Sequence, residues 1–143
     1  MATTTMSITI SSSDIGPSPV SKSTNMTLYK AGTTTGVEQT SGMARRVLLT
    51  SETSIADLIS TTPEFTYTAN KANKVYICNS STSDTDFVLI TIHGEAIGKL
   101  FAGDWMVMPW SASDSSSDIR ITAEEQTSTV TVDYMVIGEG NTA

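Results

Sequence analysis

Apolar residues in the C-terminal half fall into short runs separated by polar turn residues. The runs occupy 73–79, 87–92, 96–101, 105–110, 119–122 and 129–137. Short strands at intervals of roughly 8–12 residues, with turn signals between them, are typical of an antiparallel sandwich or a small barrel. The pattern therefore predicts an all-β fold.

Two of these runs differ in how they alternate. In 129–137 every second side chain forms an apolar core face, made of Val130, Val132, Tyr134 and Val136. The opposite face begins polar and ends apolar, at Met135 and Ile137. The run 87–92 is apolar on both faces, so we expect it to be covered by another layer or by another chain.

The stretch IGKLFAGDWMVMPW (97–110) concentrates the large apolar side chains of the sequence. We predict a hairpin here, with its turn at Gly103 and Asp104. Strand alternation places Trp105, Val107 and Pro109 on one face, and Met106, Met108 and Trp110 on the other. Because both faces are apolar and Pro109 favours an edge, the stretch predicts either a contact between copies or a role in the core alone.

The N-terminal half is less regular. We predict strands at 6–11 and 24–30, joined by a Pro/Ser-rich linker at 14–23 and followed by a long flexible loop at 31–42. Residues 43–49 are predicted as a strand or a short helix. A helical turn is predicted within 51–60, capped by Ser51 or Ser54, and a strand at 63–69 that begins at Pro63. The division that follows is an extended arm over 1–25 and a β-sandwich domain over 26–143.

The first 25 residues hold few large apolar side chains and two prolines, Pro17 and Pro19. Such a segment cannot bury enough surface to fold alone. We therefore expect an arm that docks by strand addition, with Ile8 and Ile10 on one face as anchors. Its partner would be a neighbouring copy or the surface to which the protein binds, and deletion of residues 1–20 should leave the β domain folded.

Composition supports β structure and excludes some partners. The 143 residues include 20 Ser and 24 Thr, and threonine is β-branched and suits pleated surfaces. The net charge of −7 leaves no basic field for nucleic acid. The start MATTTMSITISSS lacks a basic region and an apolar run, and no segment approaches a membrane span of roughly 20 apolar residues. We expect a soluble protein that is made and assembled in the cytoplasm, with no membrane partner.

Few residues could carry catalysis. Cys78 is the single cysteine and His93 the single histidine, so a disulfide within the chain and a multi-histidine metal site are excluded. His93 is either a general base paired with Glu95 or a turn residue before Gly94. No nucleophile, phosphate-loop or nucleotide motif is present. We predict no enzyme and no cofactor.

Two acidic pairs and one basic doublet leave alternatives open. Either calcium sites or solvated loops are compatible with the acidic pairs, which are Asp84 with Asp86 and Asp114 with Asp118. Arg45 and Arg46, with Lys22 and Lys30 nearby in sequence, indicate either a surface for an acidic partner or a solvated strand edge.

Four stretches together carry a resemblance to a known family. They are TLYKAGTTTGVEQTSGMARRV (27–47), NKANKVYICNSS (70–81), GKLFAGDWMVMPW (98–110) and VTVDYMVIGEG (130–140). The sequence resembles the capsid decoration, or cement, proteins of short-tailed marine bacteriophages. The resemblance implies a jelly-roll-like antiparallel sandwich, commonly a homotrimer, that binds the major capsid protein at subunit junctions on the capsid exterior of the virion.

The contact residues expected for this role are Ile8, Ile10, Arg45, Arg46, Trp105, Met106, Met108 and Trp110. The alternative is a fibre or receptor-binding module that recognises host glycans. In that case Trp105 or Trp110 would be exposed and would stack on sugar rings.

Overall fold

The computed structural model describes residues 3–49, 55–60, 71–112, 114–124 and 129–139. The strands in these residues are β1 (Thr5–Ser12), β2 (Val20–Thr27), β3 (Gln39–Thr40), β4 (Ala44–Leu48), β5 (Ala56–Ile59), β6 (Asn73–Asn79), β7 (Phe87–Ile92), β8 (Glu95–Phe101), β9 (Trp105–Trp110), β10 (Ile119–Glu124) and β11 (Val130–Gly138). A short 3₁₀ helix lies at Ser115–Ser117. No helix in these ranges is long and apolar enough to cross a membrane. The predicted strand at 63–69 lies outside the described residues.

Two antiparallel sheets pack together as a β-sandwich, which confirms the all-β prediction. In the larger sheet β11 lies between β6 and the two short strands β3 and β4, and β9 forms the far edge. The smaller sheet has the order β5-β10-β7-β8. From β4 to β11 successive strands alternate between the sheets, except that β7 and β8 are neighbours in the smaller one. A separate two-stranded sheet is formed by β1 and β2.

The core lies between the facing sides of the two sheets. Its buried side chains come from most strands of the sandwich: Leu48, Leu58, Ile59, Val75, Ile77, Val88, Ile90, Leu100, Trp110, Ala112, Ile119, Ile121, Ala123, Val130, Val132 and Val136. The predicted alternation of β11 is confirmed, because Val130, Val132 and Val136 are buried and Tyr134 packs against them. Burial of branched side chains on one face of each strand supplies most of the stabilisation.

The apolar outer side of β7 is covered by the chain itself. Val88 and Ile90 point into the core. On the other side, the Phe101 ring of β8 lies 5.2 Å from the ring of Phe87, centroid to centroid, and the Lys99 ammonium lies 4.2 Å above the Phe87 ring. Side chains of the neighbouring strand in the same sheet therefore shield Phe87, which is 3% exposed, while Phe101 remains 44% exposed.

His93 lies in the turn between β7 and β8. His93 and Gly94 both have positive φ, 55° and 77°, and Ile92 pairs with Glu95 across the turn. A two-residue connection with both central residues in the left-handed region matches the twist of a hairpin. His93 thus takes the turn position that was one of its two interpretations.

The hairpin predicted for 97–110 is wrong. β8 pairs with β7 in the smaller sheet and β9 pairs with β6 in the larger, so residues 102–104 carry the chain from one sheet to the other. Both strands have an apolar core face, and the two sheets present these faces toward each other. The change of sheet brings Leu100 and Trp110 into the same core from its two opposite sides.

Buried Asn79 holds this corner. Its side-chain amide donates to the Leu100 carbonyl over 2.9 Å, and its side-chain oxygen accepts from Ser81 N–H over 3.1 Å. Its backbone N–H donates to Asp104 O, and its carbonyl accepts from Gly103 N–H, over 2.9 and 2.8 Å. One polar residue at the end of β6 therefore fixes the crossover between the sheets.

The helical turn predicted within 51–60 is also wrong where the structure describes it. Residues 56–59 form β5, which pairs with β10 through a register shift at Leu58. The shift lets consecutive Leu58 and Ile59 both enter the core, and pairing with an existing sheet overrides the local helical pattern. The proposed caps Ser51 and Ser54 lie outside the described residues. The segment 43–49, left open between strand and helix, contains strand β4.

Two segments predicted as irregular are more ordered than expected. The last four residues of the predicted linker 14–23 belong to β2, which begins at Val20 opposite Ser12. The loop 31–42 folds back on the chain, with Tyr29 bridged to Gly36 and Val37 N–H donating to Leu28 O over 2.9 Å. Val37 is fully buried, so this segment anchors the chain instead of being a flexible loop.

Candidate contact surfaces

The two tryptophans lie on opposite sides of the larger sheet. Trp110 is 2% exposed, and its indole N–H donates to Ser117 O over 2.8 Å. Met106 and Met108 pack against the same core. Trp105 is 53% exposed and lies on the outer side. Of the four β9 residues predicted as contacts, Trp105 is thus the one that offers a large surface to a partner.

An apolar patch covers the outer side of the larger sheet, which we call the outer face. Its members are Tyr76, Trp105, Val107, Met135 and Ile137. Tyr76 pairs across the strands with Val107 on one side and Met135 on the other. The rings of Tyr76 and Trp105 lie 6.5 Å apart, tilted by 32°. Partly exposed Cys78 stands opposite Trp105 within this patch.

The arm is a β-hairpin, not a single extended strand. Its register places Met6 opposite Met26, Ile8 opposite Thr24 and Ile10 opposite Lys22. One side, which we call the hairpin face, carries the apolar residues Met6, Ile8, Ile10, Val20 and Met26, together with Ser12, Lys22 and Thr24. The other side carries only hydroxyl and amide groups: Thr5, Ser7, Thr9, Ser11, Ser21, Ser23, Asn25 and Thr27. Ile8 and Ile10 do share a face, as predicted.

Hydrogen bonds fasten the base of the hairpin to the sandwich. Leu28 N–H donates to Thr4 O, and the Thr4 hydroxyl donates to Val37 O, each over 2.9 Å. Glu38 N–H donates to Gly138 O over 3.3 Å. Beyond this base, and within the part of the chain that the structure describes, β1 and β2 make extensive contacts only with each other.

The Glu139 carboxylate links three segments at this base. One oxygen accepts from the backbone N–H groups of Ala31 and Ala72, and the other lies 3.6 Å from the Lys71 ammonium. Its side chain is only 10% exposed. Burial opposes ionisation, but the two backbone donors and Lys71 outweigh it, so the pKa of Glu139 lies below its usual value.

The N-terminal basic residues do not form a free cationic patch. Arg45 makes a bidentate ion pair with Asp133, with N–O distances of 2.7 and 3.1 Å. This hydrogen bonding raises the pKa of Arg45 and lowers that of Asp133. Lys30 pairs with Glu38. Arg46 is exposed on the opposite side of β4 from Arg45. The internal pairs favour the solvated-edge interpretation of this region.

The remaining polar candidates hold local structure. Asp114 caps the 3₁₀ helix by accepting from Ser116 N–H over 2.8 Å, and hydrogen bonds from Ser116 lower its pKa. A cavity of about 450 Å³ lies between this helix and the turn residue His93. Asp86 is fully buried at the end of its loop. Across the described ranges, no three His, Cys, Asp or Glu side chains converge as metal ligands.

Comparison with known proteins gives no relative, since no family model matches the chain and no curated protein matches it. Function is therefore inferred from the fold and from two surfaces, the outer face and the hairpin face. The sequence analysis named Ile8, Ile10 and Trp105, which lie on these two surfaces, but it did not name their neighbours Tyr76 and Met26. The apolar residues Met135 and Ile137, on the side of 129–137 opposite the core face, were the sequence signal for the outer face.

Proposed function

We propose that the chain is a structural virion protein that decorates and stabilises a phage capsid. It binds as an oligomer, a homotrimer by the family resemblance, at junctions between major capsid protein subunits on the capsid exterior. The observation that carries the proposal is a pair of partly exposed surfaces, each rich in apolar side chains, on an acidic, hydroxyl-rich protein. Contiguous exposed apolar surface on a small domain marks a site of protein association.

The strand order supports a jelly-roll assignment. Strands β4 to β11 lie in the orders β4-β11-β6-β9 and β5-β10-β7-β8, and the chain changes sheet at nearly every connection. Two interleaved four-stranded sheets of this kind are the arrangement of jelly rolls, which occur among viral capsid domains. Since folds host many functions, this likeness supports the structural role by analogy.

A receptor-binding module is the second candidate, and the exposure of Trp105 favours it. Trp105 stands beside Tyr76 on the outer face, and two neighbouring aromatic rings offer apolar faces on which a sugar ring can stack. The two candidates predict different copy numbers, because decoration proteins cover a shell and fibre modules sit at a few positions.

The test is to measure how many copies of this chain are present in each purified virion of the phage that encodes it. Quantitative mass spectrometry should find the chain in amounts comparable with the major capsid protein, with a tail protein of the same particles as the low-copy control. A ratio to the capsid protein as low as that of the tail protein would overturn the decoration role. Loss of glycan binding in Trp105→Ala particles that assemble normally would then favour the receptor-binding role.

A further inference from the structure

The base of the hairpin adjoins the outer face at Thr4. Thr4 lines a cavity of about 220 Å³ together with Met135 and Ile137 of the outer face. The bond from Leu28 N–H to Thr4 O extends the ladder of the hairpin by one position, so Thr4 continues the alternation of β1. Side chains two residues apart share a side of a strand. Met6, Ile8 and Ile10 therefore emerge on the side of the hairpin that Thr4 turns toward the outer face.

Within the described ranges, no strand of the sandwich packs extensively on the hairpin. The base of the hairpin is held by hydrogen bonds to Thr4 and Val37 and by Glu139, and its strands make few contacts with the sandwich. An isolated two-stranded hairpin is at best marginally stable in water. A second layer over its apolar side would stabilise it, and a second molecule can supply that layer.

We propose that the hairpin of one copy packs its apolar face on the outer face of a second copy. It is derived from the geometry of a single chain. It rests on the proposed function in that it names the two surfaces that meet in the proposed oligomer. Both faces carry branched, methionine or aromatic side chains of the kind found at interface centres. Polar and charged groups flank them, with Lys22 and Thr24 on the hairpin face and Lys74 and Asp133 on the outer face.

The area argues that every copy both gives and receives a hairpin. Ile10 and Met26 are 55% and 51% exposed. The whole hairpin face offers on the order of 400 Å², about half of the roughly 800 Å² that each partner buries in a stable interface. A copy that gives its own hairpin and receives another reaches that size. In a two-fold dimer both exchanges lie in one interface, which then reaches that size. A ring of three also covers both faces of every copy, with one exchange in each pairwise contact.

A cross-link between different copies tests the contact directly, because Cys78 lies in the outer face opposite Trp105. One full-length copy carries Ile10→Cys together with Cys78→Ala, and the second, isotopically heavy copy keeps its natural Cys78. The copies are mixed, allowed to exchange subunits and treated with a short bismaleimide. The control copy carries Thr9→Cys with Cys78→Ala, which moves the thiol to the hydroxyl side of the same hairpin.

We expect light–heavy dimers from the Ile10→Cys copy and at least a tenfold lower yield from the Thr9→Cys copy. Predominant light–light products would show hairpin–hairpin contact, and predominant heavy–heavy products would show contact between outer faces. Either result overturns the proposal. A bridge from the introduced thiol to Cys78 within one chain, formed when Ile10→Cys is made in the natural background, overturns it as well.

Native mass measurement of the unmodified chain gives an independent readout. We expect a dimer or trimer that dissociates on Ile8→Thr with Ile10→Thr, a change that keeps β-branched residues and removes the apolar face. Thr9→Ser with Ser11→Thr on the other side should leave the mass unchanged. A monomeric unmodified chain would overturn the copy-to-copy contact, while the number of copies per virion would still decide the capsid role separately.

Discussion

The hairpin of β1 and β2 and the sandwich of β4 to β11 use the same strand chemistry but bury it differently. In the sandwich, Ile77, Ile90, Ile119 and Ile121 are fully buried between two sheets. In the hairpin, Ile10 lies on a regular ladder and is 55% exposed. Pairing alone satisfies the backbone, whereas stability comes from a second layer over the apolar side. The sandwich contains its second layer, whereas among the described residues no strand packs as a second layer on the hairpin.

Matched isoleucine truncations should give the largest difference between the two regions. We expect Ile90→Ala to lower the free energy of unfolding by about 3–4 kcal/mol, because it removes buried methyl groups and leaves a cavity. Ile10→Ala should cost less than about 0.5 kcal/mol at concentrations where the chain is monomeric. Urea denaturation checks both. Similar losses in the two variants would mean that the hairpin face is buried within its own chain.

The next largest effect concerns the corner between the sheets. Asn79→Ala removes two side-chain hydrogen bonds from a fully buried position and leaves the Leu100 carbonyl without its donor. We expect a loss of about 2–3 kcal/mol by chemical denaturation. Asn25→Ala on the exposed side of the hairpin is the matched control and should change little. An Asn79→Ala variant as stable as the control would show that the crossover does not depend on this residue.

The junction of the hairpin with the larger sheet is tight at Gly138. A Cβ atom there would lie 2.1 Å from Asn73 Oδ1 and 3.0 Å from Asn73 Cα, and both atoms belong to a buried residue. Gly138→Ala should therefore cost roughly 1–3 kcal/mol through displacement of Asn73. Gly98→Ala in edge strand β8 has open space around it and serves as the control. Equal thermal unfolding midpoints for the two variants would contradict this packing argument.

Substitution of Glu139 should change the global stability least, with its main effect confined to the base of the hairpin. Glu139→Gln keeps an acceptor oxygen but loses the charge that attracts Lys71 and strengthens the bonds from Ala31 and Ala72. We expect amide exchange at these two positions to accelerate about three- to tenfold, with global stability changing by less than about 1 kcal/mol. Glu38→Gln, at the more exposed ion pair with Lys30, is the control.

The same carboxylate gives the base of the hairpin a pH dependence. Because the folded pKa of Glu139 is lowered, its contribution is complete above the ordinary value of 4.5 and is lost as the pH falls through the folded pKa. Exchange at Ala31 and Ala72, corrected for its intrinsic rate, should therefore accelerate below about pH 4.5 in the unmodified chain. In Glu139→Gln this acid-dependent acceleration should disappear, and its persistence would assign the effect to another group.

Much of the sandwich could be predicted because its strands carry local signals. The bounds of β6, β7 and β9 match the apolar runs of the sequence, and the turn at His93 and Gly94 follows from a short polar break between two such runs. The errors fall where pairing partners decide. Residues 56–59 have a helical pattern but complete the edge of a sheet, and residues 20–23 join β2 because β1 is available to pair with them.

The contact surfaces were predictable only in part. Period-two alternation was enough to place Ile8 with Ile10 and to separate Trp105 from Trp110. It could not tell which of the two sides of β9 would face the core, because both are apolar. That choice depends on where β6 and the smaller sheet lie.

The sequence by itself determined the all-β fold class, the positions of most C-terminal strands and which side chains share a face of each strand. These features depend on the two-residue period of a strand and on local turn chemistry. Only the tertiary structure decided that residues 102–104 change sheet, that Trp110 is internal while Trp105 is external, and that the arm is a hairpin with an uncovered apolar face. These features depend on contacts between residues far apart in sequence. Local patterns fix the conformation of a segment, but they do not fix which segments come to lie against each other.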